Sequence, residues 1–394
     1  MKIKSLYYIT HIDNLPSIFE RGILSHERIE SERLQFVSMF KGKAGDKSNV
    51  SKRCKTKPQN SKKNLLHYVS LLFQPRNPMM YRAIFETGKD KLAVLEVADT
   101  ILNQQGIIIA DGNATEELTQ FYPRIQGLNK LQQQRKIIQS EWWKKCDGSK
   151  RKIMAECLIP DFVKPQHIRS VVIADDTMRN WIQGTLNNLQ LPIICQPDIF
   201  FQPKRRITIG KNISLVDGGD MFFSELQTLT VTVNLQGVMG KGVALRAKEQ
   251  FPDVYVDYEK ACRAKKVTPE RPYIYKREES FADELTDRKP HRVNIKNPMK
   301  WFLLFATKRH WRQNSRIEDI ESGLQWLQNN CKKEGIQSLA MSALGCTNGG
   351  LSWADVAPLM CKYLHEINIP VEIYLPREYP IRPEYLTKKY LLAP

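Results

Sequence analysis

The sequence predicts two domains in succession, an α+β domain followed by an α/β three-layer domain, and three observations carry the prediction. The chain has 394 residues, room for two hydrophobic cores, because a single core stops growing at about 250–300 residues. Short strands and helices alternate irregularly in the first half. In the second half they alternate one by one, the rhythm of a three-layer domain around a largely parallel sheet. Between the halves lies QPDIFFQPKRRITIG (residues 196–210), where Pro197 and Pro203 flank an aromatic patch and a basic triplet follows. The expected domains are residues 1–200 and 207–394.

In the first half, YYITHI (7–12) reads as a strand, and the helix opened by Leu15 and Pro16 ends at Gly22. LLHYVSLLF (65–73) and KLAVLEVA (91–98) read as strands, and residues 128–143 as a helix. In the second half, SLVDG (214–218) and TLTVTVNL (228–235) are strands, and GVALRAKEQF (242–251) is a helix starting directly behind glycines. WFLLFAT (301–307) is a strand, residues 317–333 a helix, SLAMSAL (338–344) a strand, residues 353–367 a helix and VEIYL (371–375) a last strand.

The net charge is +18, and residues 1–210 hold 33 Lys and Arg against 20 Asp and Glu, compared with 27 against 22 in residues 211–394. The excess peaks in residues 41–63, where Asp46 is the sole acid. Such a stretch neutralises phosphates and releases counterions, so nucleic acid is the expected partner, with Lys41, Lys43, Lys52 and Lys55 as DNA-binding candidates. A solvated basic loop without a partner is the plainer alternative. No 18-residue apolar run occurs, and MKIKSLYYITHIDNL has no signal-peptide pattern, so no membrane is expected. The eight cysteines form no CxxC pair, which predicts reduced thiols in a cytoplasm and no structural metal.

Two glycine-containing loops follow strands of the second domain, where ligands sit in open α/β sheets. The first, NLQGVMGKG (234–242), leads into a helix N-terminus that can hold an anion such as a diphosphate. The second is GCTNGG (345–350). Together with TKRHWR (307–312), these runs resemble the macrodomain of DarG antitoxins, which strip ADP-ribose from modified DNA bases. The resemblance spans nearly all of residues 207–394. It implies that Asp220 contacts adenine and that Gly237, Val238, Gly240, Gly345 and Gly349 wrap the diphosphate and distal ribose. Asn234 would orient that ribose and Lys308 would be the catalytic lysine. An amine attacks an anomeric carbon only if burial or nearby cations depress its pKa, a field that Arg309 and Arg312 could supply. Val231 stands where the family has a further Asn, which puts one ligand contact in doubt.

The first domain resembles DarT toxins, which use NAD⁺ to ADP-ribosylate bases in single-stranded DNA. The resemblance rests on YYITHIDNLPSIFERGIL, HYVSLLFQPRNPMMYR and RKIMAECLIPD, in the family's order, over about residues 1–175. It implies an ADP-ribosyltransferase-like fold and Glu156 as the catalytic carboxylate. His11 and Asn14 would bind NAD⁺, and Arg53 is the position matched to the family's catalytic arginine. Tyr68, Arg76, Trp142 and Trp143 are further candidates to position NAD⁺ or stack on bases, with a place in the core the equal alternative for the Tyr and Trp side chains.

The sequence thus predicts a fused toxin–antitoxin. Its first domain would attach ADP-ribose from NAD⁺ to a base in single-stranded DNA, expected to be thymidine. Its macrodomain would take that ADP-ribose off again, with an intramolecular contact between the two. Two other readings fit the same residues: an inactive reader of ADP-ribosylated nucleic acid, or the same chemistry on RNA or guanosine.

Overall fold

The computed structural model describes residues 3–40, 50–59, 61–143, 147–186, 190–277 and 300–392. The chain separates into two units, Met1–Phe200 and Phe201–Pro394.

Strands of the first unit are β1 (Ser5–His11), β2 (Ile23–Leu24), β3 (Tyr68–Leu72), β4 (Leu92–Ala98), β5 (Ile108–Ala110), β6 (Phe121–Pro123), β7 (Glu156–Pro160), β8 (Phe162–Val163), β9 (Ile168–Ile173) and β10 (Ile193–Cys195). Eight of them form one sheet in the order β10-β9-β4-β1-β3-β7-β5-β6, while β2 and β8 pair separately. Every pair in the large sheet is antiparallel except β9 with β10. Because side chains alternate across a strand, Leu6, Val69, Leu71, Leu95, Cys157 and Ile159 enter one core. Leu15, Ile18 and Phe19 of helix Leu15–Arg21 close over it. Each fully buried large apolar side chain contributes about 1.5–3 kcal/mol. The opposite face of β3 and β7 carries Ser70, Leu72 and Glu156, and it is there that the chemistry lies.

Two expected elements differ in extent, and several others were not expected. The helix predicted over residues 128–143 runs Arg124–Gln133, followed by a single turn Arg135–Ile138. The Ser140 hydroxyl donates to Ile137 O and Trp142 O, local bonds that compete with helix continuation, so Trp142 and Trp143 lie past its end. The strand expected from residue 65 begins at Tyr68, after a 3-10 turn Leu65–His67 capped by Asn64. Helix Pro78–Thr87 is an addition: Asn77 Oδ1 accepts from Met79 N and Met80 N, and Pro78 stands where a missing N–H costs nothing.

The second unit contains β11 (Pro203–Ile209), β12 (Ile213–Gly218), β13 (Thr228–Asn234), β14 (Tyr273–Lys276), β15 (Trp301–Lys308), β16 (Leu339–Ser342) and β17 (Val371–Tyr374). The sheet order is β11-β12-β17-β16-β13-β15-β14. Its five inner strands are parallel and both edge strands antiparallel. Most residues of the inner strands are buried, as a sheet covered on both sides requires. Leu229, Val231, Val233, Phe302 and Leu304 face helices Gly242–Gln250 and Pro252–Arg263. Leu303, Phe305, Leu339 and Met341 face helices Ile317–Glu334 and Trp353–His365. Residues 203–206, expected to belong to the connection between the domains, are instead the start of edge strand β11, where Pro203 occupies the first position and needs no ladder bond. No helix among the described residues is long and apolar enough to cross a membrane.

Candidate active sites

In the first unit, Glu156 opens β7 and is 4% exposed. The apolar residues around it in sequence, Ala155 and Cys157, enter the core, but its carboxylate oxygens meet donors. Ala114 N–H donates to Oε1 at 2.8 Å, the Ser70 hydroxyl donates to Oε2, and Arg53 donates from its guanidinium to Oε2 at 3.4 Å. Burying an anion is tolerated only with such partners. Arg53 comes from the helical residues 50–55, so the fold joins a cation and a carboxylate 103 residues apart. Lys52 and Lys55 on the same helix are exposed, while Lys41 and Lys43 lie outside the described residues.

His11 ends β1 on the sheet face that carries Glu156: Tyr7, four residues earlier, pairs with Leu72, which is opposite Glu156. Its Nδ1 accepts from Asp13 N–H at 3.2 Å. Burial lowers its pKa, Asp13 opposes that and Lys91 adds to it. Asn14 is engaged by the chain itself. Its amide accepts from Val37 N–H at 2.7 Å and donates to Val37 O at 2.9 Å and to Thr10 Oγ1 at 3.2 Å. It therefore pins the segment that leads from Val37 toward the basic stretch.

The other aromatic and basic candidates are tied up in packing. The Tyr68 hydroxyl bonds Ser61 Oγ at 2.9 Å, and Arg76 donates to Glu141 O at 3.3 Å and to Asp198 O. Trp142 and Trp143 stack on each other with ring centroids 4.5 Å apart, edge-on to Tyr81.

In the second unit, Asn234 and Lys308 end neighbouring parallel strands and are register partners. The Asn234 side chain folds the first glycine loop back on itself, accepting from Gln236 N–H at 2.8 Å and donating to Val238 O at 2.6 Å. Lys308 Nζ donates to Asn348 O in the second loop. Gly242 adopts φ +57°, and an added Cβ there would lie 2.9 Å from Asn348 Nδ2, so the two loops meet beside the amine. Burial lowers the Lys308 pKa and the charge of Lys241 lowers it further. The expected source of that field is corrected here: Arg309 is committed to Asp319 through two bonds of 3.1 and 2.8 Å, and Arg312 lies over the Trp311 ring.

Gly237 takes φ +72°, an added Cβ at Gly240 would meet open space beyond Val238, and Val238 itself is 41% exposed. Gly345 and Gly349 are closed in by Ile320, Leu351 and Ser315. Asp220 is buried, caps the turn Met221–Phe223 through Phe222 N–H at 3.1 Å, and pairs with Arg246. Val231 points into the core shared with Leu229 and Val233, on the side of the sheet away from Leu303 and Phe305. Sequence reasoning missed Ser70, Ala114, Lys241, Asn348 and Arg246. Lys241 and Asn348 stand within the two quoted loops, but only folding shows which of their atoms face the amine.

Residues 7–201 match the model of the ssDNA thymidine ADP-ribosyltransferase family, DarT, and residues 295–360 match the Macro domain model. The chain is 46% identical over 392 residues to a DNA ADP-ribosyl transferase–DNA ADP-ribosyl glycohydrolase fusion protein of Thermosipho africanus, spanning 99% of each. The structure of Thermosipho africanus DarTG in complex with ADP-ribose is similar with a TM-score of 0.70 and 45% identity, over 99% of this chain and 100% of that one. A DNA ADP-ribosyl glycohydrolase of Thermus aquaticus is 36% identical over 163 residues, 41% of each chain. Identity at this level along the whole length settles the family: the chain belongs to the fused DNA ADP-ribosyl transferase–DNA ADP-ribosyl glycohydrolase proteins.

Proposed function

We infer that the first domain transfers ADP-ribose from NAD⁺ to thymidine in single-stranded DNA and that the second domain removes it, a toxin and its antidote in one cytoplasmic chain. The observation that carries the reading is that Glu156 pairs with Arg53 in the first unit, and that Lys308 and Asn234 end neighbouring strands beside the two glycine loops in the second. In transfer, the bond from ribose to nicotinamide breaks, a bond from the anomeric carbon to a base nitrogen forms, and that nitrogen loses its proton. Glu156 offers the anion that an oxocarbenium-like ribose needs and an acceptor for the proton. Arg53 holds that carboxylate and offsets charge developing on the base. His11 and Asn14 bind NAD⁺, Asn14 while also holding the segment at Val37, and Lys41, Lys43, Lys52 and Lys55 hold the phosphates of the strand.

In reversal, the Lys308 amine attacks the anomeric carbon and the base departs carrying a proton. Water then releases ADP-ribose and restores the amine. Gly237, Val238, Gly240, Gly345 and Gly349 present backbone to the diphosphate and distal ribose, and Asn234 orients that ribose. Asp220 receives the adenine once Arg246 yields its place.

The glycohydrolase half is tested with the full-length Glu156→Gln chain and an oligonucleotide already carrying ADP-ribosyl-thymidine. Released ADP-ribose and a restored oligonucleotide support the assignment. A mass that never changes refutes it.

A further inference from the structure

Past Lys308 the chain turns through residues 309–315, and both ends of this turn are fixed. Arg309 holds the buried Asp319 carboxylate on helix Ile317–Glu334, and Ser315 N–H donates to Gly349 O at 2.8 Å, in the second glycine loop. The turn closes on itself through Gln313 N–H to His310 O at 3.0 Å and Arg312 N–H to His310 Nδ1 at 3.2 Å. At its tip Trp311 leaves 47% of its surface in water. The His310 ring stacks on it at 5.6 Å with 26° between planes, and the Arg312 guanidinium lies 4.6 Å from the indole centre.

A single exposed apolar side chain is ordinary, but this one has three further properties. It is braced rather than loose, it is flanked by an imidazole and a guanidinium, and it stands three residues from the reacting amine. Three residues of chain reach at most about 10 Å, a distance that a nucleotide adjoining the modified base can bridge. ADP-ribose itself makes no demand for such a surface, because the two glycine loops already supply amides for its diphosphate. An aromatic platform with a cation beside it is instead the chemistry that holds single-stranded nucleic acid, the ring stacking on a base and the guanidinium meeting a phosphate.

We propose that Trp311, with His310 and Arg312, is a stacking subsite for a nucleobase flanking the ADP-ribosylated base, so that the second domain reads its substrate as a DNA strand. The inference rests on the reading of that domain as a DNA ADP-ribosyl glycohydrolase.

The test uses the full-length Glu156→Gln chain, which adds no new ADP-ribose, with two substrates. One is a single-stranded oligonucleotide carrying ADP-ribosyl-thymidine, and the other is the same adduct trimmed by nuclease to the nucleoside. Trp311→Ala raises KM for the oligonucleotide about tenfold with kcat little changed, so the preference for oligonucleotide over nucleoside falls by the same factor. Trp311→Phe restores most of it, because a ring remains to stack. An equal loss on both substrates would show that Trp311 only supports the fold and would overturn the subsite, as would an unmoved preference. If the parent chain released ADP-ribose from neither substrate, the glycohydrolase reading itself would fall and the subsite with it.

Discussion

Lys308 ends a buried strand, and its amine sits between two loops, so its charged form is disfavoured by desolvation first and by the like charge of Lys241 second. An amine attacks only when neutral. Glycohydrolase activity therefore rises with pH through the lowered Lys308 pKa. Lys241→Gln removes the like charge, raises that pKa and moves the rising limb of the pH–rate profile to higher pH. A limb that stayed in place, or moved to lower pH, would show that Lys241 does not act on the amine. In the other unit, Arg53→Ala leaves Glu156 without its cation. Measured as adduct formed per minute in a Lys308→Ala background, transfer should fall about 10²-fold. Arg53→Lys, which keeps the charge and loses the fork, should retain part of the activity. Glu156 and Lys308 were singled out by resemblance to two families, and the structure places one at the start of a strand and the other at the end of one. The partners that tune them were not legible, because Ser70, Ala114 and Lys241 reach these groups through pairing between strands and loops remote in sequence.

The glycine loops work as elements, and packing constrains their backbones. Gly345 takes φ +67°, and an added Cβ would lie 2.7 Å from Ile320 Cδ1 and 2.9 Å from Leu351 Cδ1. Gly345→Ala combines left-handed backbone strain of about 1–2 kcal/mol with overpacking of about 1–3 kcal/mol. Denaturant unfolding followed in the second unit should report a loss of at least about 2 kcal/mol. An unchanged midpoint would mean that this loop is softer than its packing indicates. Alternation of strand and helix made the five inner strands of the second unit and three of its helices legible, while helix Pro252–Arg263 and edge strands β11 and β14 carry no such signal and were not read. The first unit was read less completely. Ser140 and Asn77 decide where its helices stop and start by short side-chain-to-backbone bonds, which hydrophobic periodicity does not register. The TKRHWR turn was legible as a basic segment beside Lys308, but its salt bridge to Asp319 changed the role expected of Arg309.

At the scale of the whole molecule, the uneven charge and the fusion are the two informative features. The four cations Lys41, Lys43, Lys52 and Lys55 lie in the part of the chain richest in positive charge. Each phosphate neutralised on a single strand contributes about −0.7 to the slope of log K against log salt. Replacing all four with Gln should therefore reduce the magnitude of that slope by about 3, read by fluorescence titration of an oligonucleotide at several salt concentrations. An unchanged slope would place the DNA path elsewhere. Joining the two activities in one chain keeps the reversing domain at high local concentration near every adduct, in a fixed one-to-one ratio. The central claim, that one chain both writes and erases the same mark, is tested most directly by giving the full-length Lys308→Ala chain NAD⁺ and mixed single-stranded oligonucleotides and weighing the products. The account predicts a stable adduct of one ADP-ribose on thymidine, which the Glu156→Gln chain then removes. Oligonucleotides that keep their original mass, with Glu156 and Arg53 intact, would contradict it.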